Sequence, residues 1–310
     1  MTRIHNTPAQ SKALQLIKSG AKYILLYGGS RSGKTRLSME YIFRMCLKHA
    51  GMRVLVARQV YSHAIATLWN QTYKDVASSY LKAYPDQEGF HFKQGEHIVR
   101  FFNGSEIILA GLDDKERLEK ILGGEYAIIY LNECSMIKYD AILMTKTRLA
   151  QKIDGFKNKM LLDENPPSPK HWSYKMFIQN KEPKTEEALD PKEYVHMLMN
   201  PKDNLSNLPD DYIETLASLP DREKRRFLYG EFVKIEGAIY DKFDIDTMSI
   251  EETALPPMEY YSVGIDNTGN NMAGVLIGWA GNNCYLLEDY AAFRMSMSEF
   301  NNTLVTMWSD

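Results

Sequence analysis

Residues Gly28–Thr35 restrict the fold of this chain more than any other segment, because they match the pattern G-x-x-x-x-G-K-[ST]. The apolar run Lys22–Tyr27 precedes them and predicts a short β-strand, and the stretch from Arg36 to about His49 predicts an α-helix. A second apolar run, Arg53–Arg58, predicts the next strand. A strand, a glycine-rich turn, a helix and another strand form a βαβ unit, which implies a parallel sheet covered by helices.

The glycine-rich turn has the composition of a phosphate-binding loop. Its glycines let backbone N–H groups curl around phosphate oxygens, and the following helix adds the positive end of its dipole. Lys34 can neutralise the β- and γ-phosphates, while the hydroxyl of Thr35 can bind Mg²⁺. The pattern therefore predicts an ATP and Mg²⁺ site made by every residue of the loop: Gly28, Gly29, Ser30, Arg31, Ser32, Gly33, Lys34 and Thr35.

Two charged residues are candidates for hydrolysis chemistry. Arg31 is unusual inside such a loop and could reach the γ-phosphate as an arginine finger, the alternative being a solvated loop arginine. Glu133 follows the apolar run Tyr126–Leu131, where a P-loop NTPase carries a glutamate that orients the attacking water. Such enzymes usually show an acid just before it, for the water shell of the metal. Here Asn132 offers an oxygen without a charge, so an ordinary surface glutamate is the alternative for Glu133.

The middle of the chain adds further strands and a proline-rich turn. Lys159–Asp163 predicts a strand, and Asn165–Pro169 must be a loop at its carboxyl end, because prolines cannot continue a strand interior. Ligand sites of open parallel sheets lie at this edge. The polar residues from about 180 to 220 predict an irregular connection with one helix, Pro209–Ser218. Other elements are predicted as strands at Ile98–Phe102 and Glu106–Ala110 and as a helix at about Arg222–Tyr229.

Towards the C-terminus the pattern changes to β-structure. Tyr260–Asp266, Asn271–Trp279 and Asn283–Tyr290 are strand-length runs separated by turn residues, which predicts an antiparallel meander. A final helix is predicted from Ser296 to Trp308.

Composition excludes several classes of protein. The net charge of −3 neither supports nor excludes a nucleic-acid partner, because a protein that grips and releases needs only local basic patches. The three cysteines are widely spaced without a C-x-x-C, which argues against a disulfide scaffold or a zinc site. No signal pattern is present, and no apolar run approaches the roughly 20 residues of a membrane helix, so no membrane partner is expected.

Several segments together resemble the terminase large subunit family of tailed phages, and the resemblance covers nearly the whole chain. The Phe227–Phe243 segment is the most diagnostic, because it resembles the joint between motor and nuclease that generic P-loop ATPases lack. The other segments are Gly28–Thr35 with its internal Arg31, Val54–Trp69, Ile107–Gly124 and Asn165-Pro166.

The resemblance implies an ATP-driven motor that moves double-stranded DNA into a procapsid, in the host cytoplasm. Its partners would be a portal protein and a terminase small subunit, and it would act as a homo-oligomeric ring on the portal. Arg31 would stabilise the transition state and Glu133 would position water, while Asn165 would sense the γ-phosphate and couple hydrolysis to motion. Gln10 is similar to a glutamine that contacts adenine in such motors, although a surface glutamine is the alternative.

The same resemblance implies a domain organisation. Residues 1–235 would form a P-loop ATPase with a doubly wound parallel sheet, 236–257 a linker, and 258–310 the N-terminal part of a ribonuclease-H-like nuclease. Asp266 would be the first nuclease metal ligand and Glu288 the second, with Asp289 as the alternate, and hard carboxylates suit Mg²⁺ or Mn²⁺. Because the remaining acids of the family lie further along, the chain is expected to be truncated and deficient as a nuclease on its own.

Two other functions are compatible with the sequence. One is another P-loop DNA translocase or helicase, although no motif for binding a single strand is visible. The other is a non-catalytic nucleotide-binding assembly protein or remnant, which Asn132 favours.

Overall fold

The computed structural model of the chain describes residues 6–83, 89–113, 121, 123–234, 248–266 and 271–309. The chain divides into two compact units, Met1–Ala238 and Ile239–Asp310. The predicted linker at 236–257 lies outside the described residues as far as residue 247, as do parts of the family-like segments Ile107–Gly124 and Phe227–Phe243. Among the described helices, none is both long and apolar enough to cross a bilayer.

An eight-stranded sheet forms the centre of the first unit, with the strand order β3-β4-β5-β2-β6-β7-β1-β8. Six of its strands are parallel, and β3 and β4 extend one edge in the antiparallel sense. The α/β prediction is confirmed, with a sheet that is mostly parallel rather than wholly so. The strands are β1 (Tyr23–Tyr27), β2 (Arg53–Arg58), β3 (Phe90–Lys93), β4 (Ile98–Phe101), β5 (Glu106–Gly111), β6 (Ile128–Leu131), β7 (Lys159–Glu164) and β8 (Tyr194–Leu198).

The helices of the first unit begin and end at local signals. Thr7 caps the first helix by accepting from the backbone of Gln10, and the Gln10 side chain accepts from the backbone of Thr7, which is a capping box. The segment Ile65–Tyr73 is a π-helix that joins two α-helices. The α-helices are α1 (Pro8–Ile17), α2 (Lys34–Lys48), α3 (Tyr61–Ala64), α4 (Lys74–Ala83), α5 (Tyr139–Lys146), α6 (Tyr212–Ala217) and α7 (Asp221–Phe227).

Both faces of the sheet are buried, which explains the continuous apolar runs of its central strands. Alternate residues of β1 show this division, because Ile24 and Leu26 join one core cluster and Leu25 joins the other. Phe43 and Trp69 belong to the first cluster, under α2 and the π-helix, and Phe177 belongs to the second. This covered sheet is rigid support for residues at the carboxyl ends of its strands.

The prediction of an irregular connection between residues 180 and 220 was wrong in one respect. Tyr194–Leu198 forms β8, which pairs in parallel with β1, and Pro201–Asn207 forms a 3₁₀ helix. The strand is an edge strand in which buried and exposed residues mix, so its short apolar signal is weak against the surrounding polar residues. Its consequence is functional, because the chain that leaves β8 runs along the glycine-rich loop.

The described residues of the second unit form a three-stranded antiparallel sheet, one α-helix and the short 3₁₀ helix Glu252–Ala254, so the predicted meander and C-terminal helix are both present. The sheet has the order β11-β10-β9, with a register shift at Leu276/Ile277. Phe300 and Leu304 pack on Met272 to form a small core. The ribonuclease-H-like assignment of this unit stays a prediction. Its elements are β9 (Tyr260–Asp266), β10 (Asn271–Ala280), β11 (Asn283–Phe293) and α8 (Met297–Trp308).

Candidate functional site

The glycine-rich loop leads from β1 into α2 through a crowded passage. A side chain at Gly28, whose φ is +138°, would place its Cβ 2.1 Å from the carbonyl oxygen of Met199, and one at Gly29 would lie 2.3 Å from that of Phe227. The loop therefore passes between the chain after β8 and the end of α7, where only glycine fits. The loop is also hydrogen-bonded to the end of α7, because the backbone N–H of Ser30 donates to the carbonyl of Phe227 at 3.0 Å.

The N-terminus of α2 has backbone N–H groups that are available to bind an anion. Gly33 precedes the helix with a left-handed backbone, and no side chain caps the free N–H groups. Together with the helix dipole, these donors attract phosphate. Lys34 is buried, and its Nζ donates to the carbonyl oxygens of Gly28 at 3.1 Å and Gly29 at 2.7 Å and to Oγ of Ser32 at 3.1 Å. Burial lowers the pKa of Lys34 to about 8, although nearby carboxylates oppose this shift.

A buried carboxylate that the sequence interpretation missed lies beside Thr35. Asp163, on β7, is 1% exposed and accepts hydrogen bonds at Oδ2 from the hydroxyls of Thr35, at 2.7 Å, and Tyr130, at 2.6 Å. Its Oδ1 accepts from the side-chain amide of Asn132 at 2.9 Å and from the backbone N–H of Glu133 at 2.8 Å. These five residues are called the Asp163 cluster here. A polar residue inside an otherwise apolar strand was the available signal, but strand pairing was needed to show what it meets.

Glu133 lies at the carboxyl end of β6, in a left-handed conformation with φ of 50°. Its carboxylate forms an ion pair with Arg58, at the end of the neighbouring strand β2, and Arg58 also donates to Oγ1 of Thr67 at 2.7 Å. The sequence interpretation missed Arg58, because its relation to Glu133 depends on the pairing of β2 with β6. The carboxylate is thus held towards β2 in this arrangement.

The loop after β7 is tied both to the glycine-rich loop and to α7. The backbone N–H of Gly28 donates to the carbonyl of Glu164 at 3.2 Å. Arg226, on α7, donates from Nε to the carbonyl of Pro166 at 2.7 Å and from Nη2 to that of Asn165 at 3.4 Å. Asn165 therefore follows directly after the residue whose carbonyl contacts the phosphate-binding loop.

Glu164 itself is buried below this loop. It accepts from the hydroxyl of Ser173 at 2.8 Å and from the thiol of Cys134 at 3.3 Å. Burial raises the pKa of Glu164 to about 7, against the opposite effect of these two hydrogen bonds. His171 contacts the same Ser173 hydroxyl at 2.8 Å, and burial lowers the pKa of this imidazole to about 4.

Gln10 and Arg31 differ in their exposure at the loop. Gln10 is buried against the loop, because a Cβ at Gly33 would lie 2.4 Å from its Nε2. Arg31 is exposed and has a φ of 53°, while its carbonyl accepts from the side-chain amide of Asn204 at 2.8 Å. Asn200 also bonds the loop, since its Oδ1 accepts from the N–H of Gly29 at 3.1 Å. The sequence interpretation missed both asparagines with β8.

The acids of the second unit occupy different faces of its sheet. Asp266 pairs with Ala273, which pairs with Ala291, so Asp266 shares a face with Ala291 and with Asp289 two residues before it. Glu288 points to the other face, where its Oε2 accepts from the indole N–H of Trp308 on α8 at 2.8 Å. The strand β10 separates these acids, and the described residues contain no group of three or more potential metal ligands close together. The predicted pair Asp266 and Glu288 is therefore not brought together, and Asp289 is the acid on the face of Asp266.

Comparison with known proteins places this geometry in a family. Residues 25–247 match the family model described as terminase large subunit, T4likevirus-type, N-terminal. No curated protein sequence matches the chain significantly.

Solved structures share the fold at low sequence identity. The large terminase of a thermophilic bacteriophage in complex with ADP has a TM-score of 0.60 and 20% identity over 98% of this chain and 74% of that one. Its complex with ATP-γ-S has a TM-score of 0.58 and 20% identity over the same shares. A variant of the Thermus phage P74-26 large terminase ATPase domain has a TM-score of 0.51 and 18% identity over 74% of this chain and 95% of that one. Because the family model matches well over half of the 310 residues of this chain, the chain belongs to the terminase large subunit family.

Proposed function

We propose that the first unit binds and hydrolyses ATP and that this hydrolysis drives double-stranded DNA into a procapsid. The observation that carries the proposal is the juxtaposition of an uncapped helix N-terminus, a buried lysine and a threonine hydroxyl at one sheet edge. Phosphate oxygens can replace the loop carbonyls as acceptors for the ammonium of Lys34. Membership of the terminase large subunit family supports DNA as the cargo.

Mg²⁺ fits the chemistry of this edge, because hydroxyl and carboxylate oxygens are its preferred ligands. The hydroxyl of Thr35 is the ligand that the loop itself offers. When bound, the ion would neutralise charge on the phosphate oxygens. The chain's own residues position the reaction: Lys34 holds the phosphates, and the loop keeps water away from its buried ammonium.

The remaining roles in hydrolysis belong to residues around the loop. Glu133 orients the attacking water after its carboxylate leaves Arg58, and Arg31, whose side chain is exposed, stabilises charge on the transferred phosphoryl group. Asn165 transmits the change to α7, because Arg226 holds the carbonyls of Asn165 and Pro166. Gln10 contributes to the nucleotide pocket from α1.

The complete motor requires partners. We propose a portal protein, a terminase small subunit and a homo-oligomeric ring, acting in the host cytoplasm. Their support is the family alone.

The second unit is proposed to contribute to a nuclease that uses Mg²⁺ or Mn²⁺. Asp266 and Asp289 share a sheet face and are the ligands favoured by geometry, whereas Glu288 contacts Trp308 on the other face. Loss of Mn²⁺-dependent plasmid cleavage in Asp289→Ala, with cleavage kept in Glu288→Ala, is the expected pattern in a cleavage-competent protein. The reverse pattern would restore Glu288 as the ligand.

Turnover of ATP with and without duplex DNA tests the motor assignment. Glu133→Gln is expected to lower turnover by on the order of 10² to 10⁴-fold while ATP still binds, because the base that orients water is lost. Glu125→Gln is the matched control, since Glu125 is an exposed glutamate close to the same strand.

Three results would contradict the proposal. Turnover that is insensitive to Glu133→Gln would remove the hydrolysis site from this edge. ATP binding without turnover under any condition would favour a non-catalytic nucleotide-binding assembly protein. Separation of DNA strands would favour a helicase.

A further inference from the structure

Asn132 is neutral at a position where an acid is expected, and the Asp163 cluster contains a carboxylate close by. The side-chain nitrogen of Asn132 points at Oδ1 of Asp163, 2.9 Å away, and it also lies 3.4 Å from Oγ1 of Thr35. Asn132 thus acts as a hydrogen-bond donor to a carboxylate. The negative charge of this edge is carried one strand away, on β7, which lies between β6 and the loop strand β1.

The hydroxyl of Thr35 is oriented by the same carboxylate. Thr35 donates its hydrogen to Oδ2 of Asp163 at 2.7 Å, and a hydroxyl has only one hydrogen to donate. The lone pairs of Thr35 Oγ1 therefore remain for a cation or for the weaker approach of the Asn132 amide. A carboxylate that accepts the hydrogen also makes the hydroxyl oxygen a better ligand, as partners behind a ligand commonly do.

Positions 132 and 163 differ in charge, since Asn132 is neutral and Asp163 carries the carboxylate. An acid at 132 would bring its carboxylate within hydrogen-bonding distance of the buried carboxylate of Asp163, and two such groups cannot both stay ionised. One amide and one carboxylate leave a single negative charge at these two positions. An acid at position 132 is therefore unnecessary here, and with Asp163 present it would be unfavourable.

We infer that Asp163, in place of an acid at position 132, supplies the negative charge behind the nucleotide-bound Mg²⁺ and strengthens binding of the ion through the hydroxyl of Thr35 that it orients. The inference rests on the proposed function, because it requires Mg²⁺ and nucleotide at the loop. Asn132 is a positioning residue in this arrangement, since it fixes Asp163 by its amide. Tyr130 has the same task at the other carboxylate oxygen.

Calorimetric titration of the full chain with ATP-γ-S, in excess Mg²⁺ and in EDTA, tests the inference without any readout of turnover. Asp163→Asn is expected to weaken ATP-γ-S binding in Mg²⁺ by about 10 to 100-fold and to leave binding in EDTA unchanged. The ratio of the ATP-γ-S affinities in Mg²⁺ and in EDTA is called the Mg²⁺ effect here. Asp154→Asn, at an exposed turn, is the matched control and should keep the full Mg²⁺ effect. Titration with Mn²⁺ in place of Mg²⁺, followed by electron paramagnetic resonance, should show the same loss.

The double variant Asn132→Asp/Asp163→Asn transposes the two groups and keeps one charge and one amide. It should recover most of the Mg²⁺ effect, and it decides the matter if Asp163→Asn does not fold. An unchanged Mg²⁺ effect in Asp163→Asn would overturn the inference, as would equal losses in Mg²⁺ and EDTA, which indicate a purely structural role. A folded double variant without any Mg²⁺ effect would also overturn it. A wild-type chain that binds ATP-γ-S with no Mg²⁺ effect would overturn the proposed nucleotide chemistry as well.

Discussion

Acids on strands occur in both units, and their surroundings differ. In the first unit, Asp163 is almost fully buried and accepts four hydrogen bonds from α2, from β6 and from the residues that follow β6. In the second unit, Asp289 and Glu288 are exposed on β11, the outer strand of a three-stranded sheet. A sheet covered on both faces fixes its acids before a ligand arrives, because neighbouring strands supply donors in a set register. In the open antiparallel sheet, by contrast, Glu288 accepts one hydrogen bond from the indole of Trp308 and remains exposed.

The largest expected effect is on the free energy of unfolding when Asp163 or Asp289 is removed. Asp163→Ala is expected to lower the free energy of unfolding of the first unit by about 3 kcal/mol, because several buried donors lose their acceptor. Asp289→Ala should change stability by less than about 0.5 kcal/mol, as exposed substitutions usually do. Urea denaturation of both variants measures the two values, and equal effects would show that the Asp163 cluster is not preorganised.

The pH dependence of stability should contain opposing contributions from Glu164 and His171. The pKa of Glu164 is raised from 4.5 to about 7 in the folded chain, so the folded state binds more protons than the unfolded state between these values. Stability should therefore fall as pH rises from 4.5 to 7, by about 3 kcal/mol at most. His171 acts in the opposite direction between its folded pKa of about 4 and its ordinary value of 6.5.

The contributions of Glu164 and His171 can be separated by measuring the free energy of unfolding of the wild type and of Glu164→Gln. The measurement should cover about pH 4 to 8, which spans both pKa values. Because His171 is present in both proteins, the difference between them isolates Glu164. That difference should move in favour of the variant as pH rises. A constant difference would mean that Ser173, Cys134 and Arg226, which lower the pKa of Glu164, compensate the effect of its burial.

The smallest effect is expected at the rim of the site, where Arg58 pairs with Glu133. The side chain of Glu133 is 43% exposed, so the ion pair should contribute less than about 1 kcal/mol. Arg58→Ala should raise ATP turnover in the absence of DNA by less than about fivefold, because the carboxylate is released towards the phosphates. Arg44→Ala is the exposed control. A large fall in turnover would instead make Arg58 part of the catalytic arrangement.

Local pattern predicted the elements that depend on near neighbours in sequence. The strand before Gly28, the helix after Gly33 and the meander from Tyr260 onwards appear close to their predicted bounds. It failed at β8, whose few apolar residues are stabilised by pairing with β1 rather than by their own periodicity. With β8 it also missed Asn200 and Asn204, which bond the loop from 171 and 173 residues away in sequence.

The sequence by itself determined the phosphate-binding loop, because an uncapped helix N-terminus, its glycines and its lysine are contiguous. It also pointed to the terminase large subunit family. Only the tertiary structure decided which acid stands beside Thr35, which arginine holds Glu133 and which acid shares a face with Asp266. These relations depend on strand order and register, which bring together residues that no local spacing connects. Two carboxylates at positions 132 and 163 could not both stay ionised, and the pairing of β6 with β7 is what brings Asn132 to the buried carboxylate of Asp163.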